Sequence, residues 1–277
     1  MNVNVGDVLQ ARYDLLMVAA SYLVSVLGSF FALSHAQYMF KRNGRIDYSM
    51  AIGAAVALGG IGIWAMHFMG MMGYRLPLRV VYDGPWTLLS LVAAVVIAGI
   101  SLVLAGGRGQ FSWPGWFAGS FLAGAGVCVM HYMGMYAMNL RADMFLDLPT
   151  VAASVGIAVS AAAAALWLAF NVRTTAHRWA AALTMGMAVC AMHYTGMGAA
   201  RFVCVAAKPI PTWFIGGDNL PALVFAVTGL VLVLLCWNIL GMTDRTRQLP
   251  ASAKRAYQST LNNEGGLGNT QPGGLIT

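Results

Sequence analysis

Seven runs of apolar residues divide the chain, at about 15–39, 50–72, 86–105, 115–138, 149–170, 179–200 and 221–241. Each is close to the roughly 20 residues an α-helix needs to cross a bilayer. The breaks between them are short and carry charges or turn residues, such as Lys41-Arg42-Asn43-Gly44-Arg45, Gly106-Gly107-Arg108 and Asn171-Val172-Arg173. This pattern predicts an all-α integral membrane protein with seven transmembrane helices, and an odd number of spans puts the termini on opposite sides. The first fourteen residues lack the basic start and small-residue cleavage site of a signal peptide, so the first span is expected to remain.

Composition agrees. Of 277 residues, 59% are apolar and only 9% charged, with mean hydropathy +0.70. Soluble domains carry roughly a quarter charged residues, so this chain cannot clothe itself for water. The net charge of +7 would fit a nucleic-acid partner only as a basic patch. Here the charges stand singly between apolar runs, which excludes that class. They sort by side instead: six Lys/Arg on the N-terminal side against ten on the other. The positive-inside rule then places the N-terminus outside and the C-terminus in the cytoplasm. Tryptophans 86, 113, 116, 167, 179 and 237 fall near span ends, as an interfacial belt requires, whereas Trp64 lies deep in the second span. Cys128, Cys190, Cys204 and Cys236 form no CxxC pair, which argues against a disulfide framework or a zinc site.

The histidines reveal a repeat. Met66-His67-Phe68-Met69-Gly70-Met71, Met130-His131-Tyr132-Met133-Gly134-Met135 and Met192-His193-Tyr194-Thr195-Gly196-Met197 share M-H-[FY]-x-G-M. Each copy closes the second helix of a two-helix unit, with Gly60, Gly124 and Gly186 seven residues before the histidine and Arg75, Arg141 and Arg201 following. The architecture is therefore three two-helix repeats plus a seventh helix. Units with an even number of spans keep one orientation, so the three histidines share one depth, toward the outer ends of spans 2, 4 and 6. Positions four and seven apart share a helix face, which gathers glycine, histidine and the following methionine into one stripe per copy. Histidine inside a span usually faces the bundle interior.

Imidazole with thioether is a soft ligand set that suits copper, above all Cu(I). No carboxylate lies within any span, which disfavours Mg, Ca and Mn, and zinc makes little use of methionine. The candidate metal ligands are Met66, His67, Met71, Met130, His131, Met135, Met192, His193 and Met197. A lone buried histidine is more often hydrogen-bonded than metal-bound, and methionine commonly fills gaps; it is the threefold recurrence that favours ligation. Cys128 and Cys190, three residues before their histidines, read as small buried residues, since Trp64 holds that place in the first copy. Thr195 replaces Met69 and Met133, which removes that position from the ligand set. His35 and His177 carry no motif and read as structural or solvated.

Absences narrow the function. Lys41, Lys208 and Lys254 lie outside the spans, so no Schiff-base lysine is available, and carboxylate-driven pumping lacks its usual groups. No P-loop or G-x-S-x-G occurs, and no enzyme activity is expected. Residues 1–12 read as an outer segment, 206–220 as an interfacial outer loop, and 242–277 as a polar, disordered cytoplasmic tail too short for a catalytic domain.

The triple motif, above all Ala191-Met192-His193-Tyr194-Thr195-Gly196-Met197, resembles the bacterial MHYT domain over residues 13–205, with 221–241 in the place of that family's seventh helix. The resemblance implies a plasma-membrane sensor in which Met, His and Tyr near the outer face hold copper and through it sense oxygen, carbon monoxide or nitric oxide. The first copy departs from it, with Phe68 in place of a tyrosine. Many members continue into cyclase, phosphodiesterase or kinase modules; a chain without one implies a cytoplasmic protein partner beside its lipid and gas ligands. Copper handling, haem ligation by His–His or His–Met pairs and a purely structural module are the rival readings.

Overall fold

Three aspartates start the odd-numbered helices. α1 (Leu15–Ala36) follows Asp14, α3 (Gly84–Gly106) follows Asp83 and α5 (Leu148–Asn171) follows Asp147. Each carboxylate accepts backbone N–H groups of the first turn, from Leu16 and Met17, Trp86, and Thr150 respectively, as helix N-caps do. The backbone N–H of the same aspartates donates to Gly73, Ala137 and Ala199 at 2.8, 2.8 and 2.9 Å. These acceptors lie at the ends of α2 (Tyr48–Gly73), α4 (Trp113–Tyr136) and α6 (Thr175–Gly198). Each repeat is thus a helix pair tied together at the end that carries the histidine.

The computed structural model describes residues 4–40, 45–106, 112–172, 174–209, 211–216 and 220–247. Met1–Leu235 is one compact unit; of Cys236–Thr277, the described part is the end of α7 (Leu220–Arg247). The charged breaks at 41–44, Gly107-Arg108 and Arg173, and the expected tail from 248 onward, lie outside the described residues.

Among the described residues, six helices are long and apolar enough to cross a membrane: α1 to α5 and Leu220–Gly241 of α7. This makes the chain a multi-pass membrane protein. The expected seventh, α6, has the length but not the apolarity. Thr175, His177, Arg178, His193, Tyr194 and Thr195 dilute it, and it packs between α1 and α5.

The linkers at the histidine end are not plain loops. β1 (Arg12–Tyr13) pairs with β2 (Tyr74–Arg75), β3 (Val81–Asp83) with β4 (Met138–Asn139), and β5 (Ala142–Leu146) with β6 (Ala200–Cys204), all antiparallel. In every repeat the strand before the first helix pairs with the strand after the second. The segment expected as an outer interfacial loop also docks here. Its β7 (Phe214–Gly216) extends β3, Gly84 N–H donates to Trp213 (3.1 Å), and Asn139 Nδ2 donates to Pro209 (3.0 Å).

Inside the bundle the odd helices present equivalent stripes: Ser21, Ser25, Ser29, Leu33 and Ala36; Ser90, Ala94, Ala98, Leu102 and Ala105; Ser154, Ala158, Ala162, Leu166 and Ala169. All fifteen are buried, and their spacing keeps them on one face. Small residues let backbones approach closely where lipid supplies no hydrophobic drive. A methyl group on Gly124 would come within 2.6 Å of Val159 Cα, and one on Gly186 within 2.7 Å of Val26 Cγ2. The equivalent valine in the second repeat, Val95, is met at its backbone by Gly59 of the first (2.7 Å to its Cα), whereas a methyl on Gly60 would only touch its Cγ2, at 3.6 Å. The cause is local: Val56–Ala65 is a π-helix, whose wider turns absorb an extra residue. The glycine aligned by counting back from the histidine is therefore one place off in the first copy. These contacts join α2 to α3, α4 to α5 and α6 to α1, so the three repeats close a ring.

Candidate metal centre

That ring brings His67, His131 and His193 into one buried cluster; their exposures are 0%, 1% and 1%. The three Nδ1 atoms form a triangle with sides of 3.1, 3.1 and 3.3 Å. The rings stand nearly perpendicular to one another, at 84–89°. No acidic residue lies in any helix that supplies a histidine.

Hydrogen bonding alone cannot satisfy this triangle. A ring nitrogen is either an N–H donor or a lone-pair acceptor. With three mutual contacts, at least one must join two donors or two acceptors. The outward nitrogens do no better, because Nε2 of all three rings is buried without a hydrogen-bond partner among the described residues, at a typical cost of about 1–3 kcal/mol for each orphaned group. A cation relieves the conflict by accepting all three Nδ1 lone pairs at once. The dimensions fit. A point equidistant from the three nitrogens lies about 1.8 Å from each, against ~2.0 Å for a metal–imidazole bond.

Each ring is held by a glycine of the neighbouring repeat. A methyl group on Gly134 would collide with His67 Nε2, one on Gly196 with His131 Nε2, and one on Gly70 with His193 Nε2. The glycine of M-H-[FY]-x-G-M thus makes room for the imidazole of the preceding repeat in the ring. It also blocks Nε2 and leaves Nδ1 as the inward atom.

In two copies the residue after the histidine ties the repeats together a second time. Tyr132 meets Ser154 Oγ at 2.7 Å and Tyr194 meets Ser21 Oγ at 2.8 Å. Both serine hydroxyls donate to the carbonyl three residues back, at Val151 and Val18, so the tyrosines are the donors. The first copy reaches the same end by another route. Phe68 has no hydroxyl, and Trp64 Nε1 donates to Ser90 Oγ (3.1 Å), with Ser90 bonded to Thr87 in turn. Trp64 and Phe68 together replace the cysteine and tyrosine of the other copies.

All six motif methionines, Met66, Met71, Met130, Met135, Met192 and Met197, are 2% exposed or less. Met192 packs with Cys128 and Ala158, apart from the main core. The four cysteines are free, with Cys128 and Cys190 buried. His35 is structural: it is buried against Gly53, and its Nδ1 donates to Phe31 (2.8 Å). His177 is exposed beside the capping Thr174. The arginines are not a threefold set. Arg75 bridges Asp14 at 3.2 Å. That hydrogen bond, with the Met17 N–H, holds the Asp14 carboxyl below its usual range. Thr150 does the same for Asp147, with Arg201 adding its charge. The equivalent place in the second copy belongs to Asn139, and Arg141 lies two residues beyond it. The serines of the odd helices carry a sequence signal separate from the histidine motif, S-x3-[SA]-x3-[SA]-x3-L, which recurs three times.

A family model described as "Bacterial signalling protein N terminal repeat", the MHYT repeat, matches three times, at residues 60–119, 124–182 and 186–247. The chain is 37% identical over 265 residues to the bifunctional diguanylate cyclase/cyclic di-GMP phosphodiesterase MucR of Pseudomonas aeruginosa, a match covering 91% of this chain and 38% of that protein. It is 32% identical to the cyclic di-GMP phosphodiesterase NbdA of the same organism, over 74% of this chain and 27% of the relative. To the signalling protein YkoW of Bacillus subtilis it is 26% identical, over 73% of this chain and 26% of the relative. The chain therefore spans well under half the length of these relatives. No solved structure matches it.

Proposed function

The chain belongs to the MHYT family of bacterial signalling repeats, and from that premise we propose that it is a membrane sensor holding a copper ion between its three histidines. The observation that carries this reading is the Nδ1 triangle: three buried nitrogens that protons cannot satisfy together and one cation can. The choice of copper rests on the donor set. Neutral imidazoles with thioethers nearby in sequence, and no carboxylate in the spans, suit a soft ion. The motif methionines Met66, Met71, Met130, Met135, Met192 and Met197 are the candidates for further ligation.

Bound copper would supply a one-electron couple and an open coordination position for a diatomic ligand such as oxygen, carbon monoxide or nitric oxide. The protein's own part is mechanical. His67, His131 and His193 come from three different repeats, and each ring rests on the glycine of its neighbour, so a change at any one ligand reaches all three helix pairs. The Tyr132–Ser154, Tyr194–Ser21 and Trp64–Ser90 bonds carry it to the odd helices. With α6 counted as a seventh span and Lys/Arg favouring the opposite side, the histidine end faces outside and the C-terminus the cytoplasm of the bacterial plasma membrane. There a protein partner receives the signal. The names of MucR and NbdA concern cyclic di-GMP turnover, which makes an enzyme of that kind the natural partner; the chain itself is assigned no catalytic step.

The test is metal analysis of protein purified in detergent after expression in copper-rich medium. Near-stoichiometric copper, lost when His67, His131 and His193 become alanine, supports the reading. Protein without metal, or with zinc in the site, overturns it.

A further inference from the structure

The residues four before each histidine, Ile63, Val127 and Val189, lie one helical turn deeper in the bundle on the histidine face. All three line a single cavity of about 40 Å³. Met192, adjacent to His193, lines it too, and small residues of α3 and α5, Ala98 and Ala162 among them, form much of the remaining wall. Ser101 is its one polar side chain. That serine is fully buried and its hydroxyl has no partner among the described residues. Nor is it a packing requirement, because the equivalent positions in the other repeats are Ala32 and Ala165.

A buried water needs roughly 10–15 Å³ and two to four polar partners. This cavity has the room, but it offers a water a single hydroxyl. Cavities of that kind stay dry and take apolar guests.

We infer that the cavity is a binding site for a small uncharged molecule of about two heavy atoms, apolar but able to accept one hydrogen bond from Ser101, held one turn beneath the histidine triad. The inference rests on the sensing reading for its purpose, although occupancy of the cavity needs no metal. A guest there bears on Ile63, Val127 and Val189, and so on the backbone turn before every histidine at once.

Xenon is the probe, and methyl-resolved NMR of the full chain in lipid nanodiscs is the measurement. The methyl signals of Ile63, Val127, Val189 and Met192 shift saturably with xenon pressure. The exposed methyls of Val155 and Leu183 sample dissolved xenon in lipid and shift only linearly. Ala162→Leu or Ala98→Leu fills the cavity and abolishes the saturable shifts. Should neither variant fold, Ser101→Val takes up part of the space and lowers xenon affinity at least threefold. Linear shifts at the four cavity methyls, or saturable shifts that persist in the folded variants, overturn the proposal. Metal content of the same samples separates the two readings. Saturable shifts without copper sink the metal centre alone, and copper without saturable shifts sinks the cavity alone.

Discussion

Gly134→Ala is the sharpest probe of the metal centre, because the atoms nearest to a new methyl at position 134 all belong to His67. A Cβ there would overlap the His67 Nε2 atom and stand 2.9 Å from Cδ2. Carbon atoms pack at ~3.5 Å or more, so the ring must retreat by about 1 Å. Its Nδ1, now 3.1 Å from each of its partners, would be displaced with the ring, so that one ion could no longer hold all three nitrogens at ~2.0 Å. Overpacking costs about 1–3 kcal/mol, and the better helix propensity of alanine returns ~0.5–1 of it. The expected outcome is a modest fall in the detergent melting midpoint, together with a drop in Cu(I) affinity of at least ~10-fold, the scale on which loss of a ligand's positioning partner acts. Competition against a chromophoric Cu(I) chelator reads the affinity. Gly156→Ala is the control. It lies exposed in mid-α5 with nothing within 4 Å of a new methyl, and should match or exceed wild-type stability with unchanged affinity. Unchanged affinity in Gly134→Ala, or an equal loss in Gly156→Ala, would refute the reasoning.

Gly59→Ala should unfold or strongly destabilise the protein, because its methyl meets the backbone of Ala94 and Val95, while Gly60→Ala should be tolerated; if thermal melts rank them the other way, the π-helix register is wrong. Ser154→Ala leaves the Tyr132 hydroxyl without its acceptor and should cost about 1–3 kcal/mol. Adding Tyr132→Phe should recover most of that loss, and strictly additive losses in the double-mutant cycle would dismiss the bond as incidental. Asp14 is held below its usual range by Arg75, so its contribution to stability is full above the unfolded carboxylate value near ~3.9 and fades as pH falls through the lower folded value. The melting gap between wild type and Asp14→Asn should accordingly close in acid, and a gap that persists unchanged at about pH 2 would rule out ionisation as its source.

The helices and the pairing of spans into repeats were readable because a period of about 64 residues and a six-residue motif survive any small error in the boundaries. Finer features depended on information outside that period. The strands β1 to β7 have two to five residues each, too few for alternation to stand out against the neighbouring helices. Gly59 and Gly60 are adjacent glycines, and only a backbone that departs from 3.6 residues per turn decides which of them packs. Arg141 looked equivalent to Arg75 and Arg201 because charge is conspicuous, while the position that corresponds holds Asn139. The convergence of the histidines on an interior face was legible, since a membrane leaves them little else. That Nδ1 would be the inward atom was not, because it follows from where a neighbouring repeat places its glycine.

Closure of α6 onto α1 has a further consequence. In its contacts the molecule is a trimer of one helix pair whose three subunits have been joined end to end, with Gly6 and Leu9 of the N-terminal segment bonded to Cys204 and Phe202 to seal the join. Identical subunits under cyclic symmetry must vary together. Fusion frees one copy to diverge while the ligand triad stays threefold. The ten-residue π segment, the Trp64–Phe68 exchange and the solitary Ser101 each occur in one copy only. A strict trimer meeting a stimulus on its axis has no preferred sector in which to yield, whereas this chain has one written into it, and its response acquires a direction.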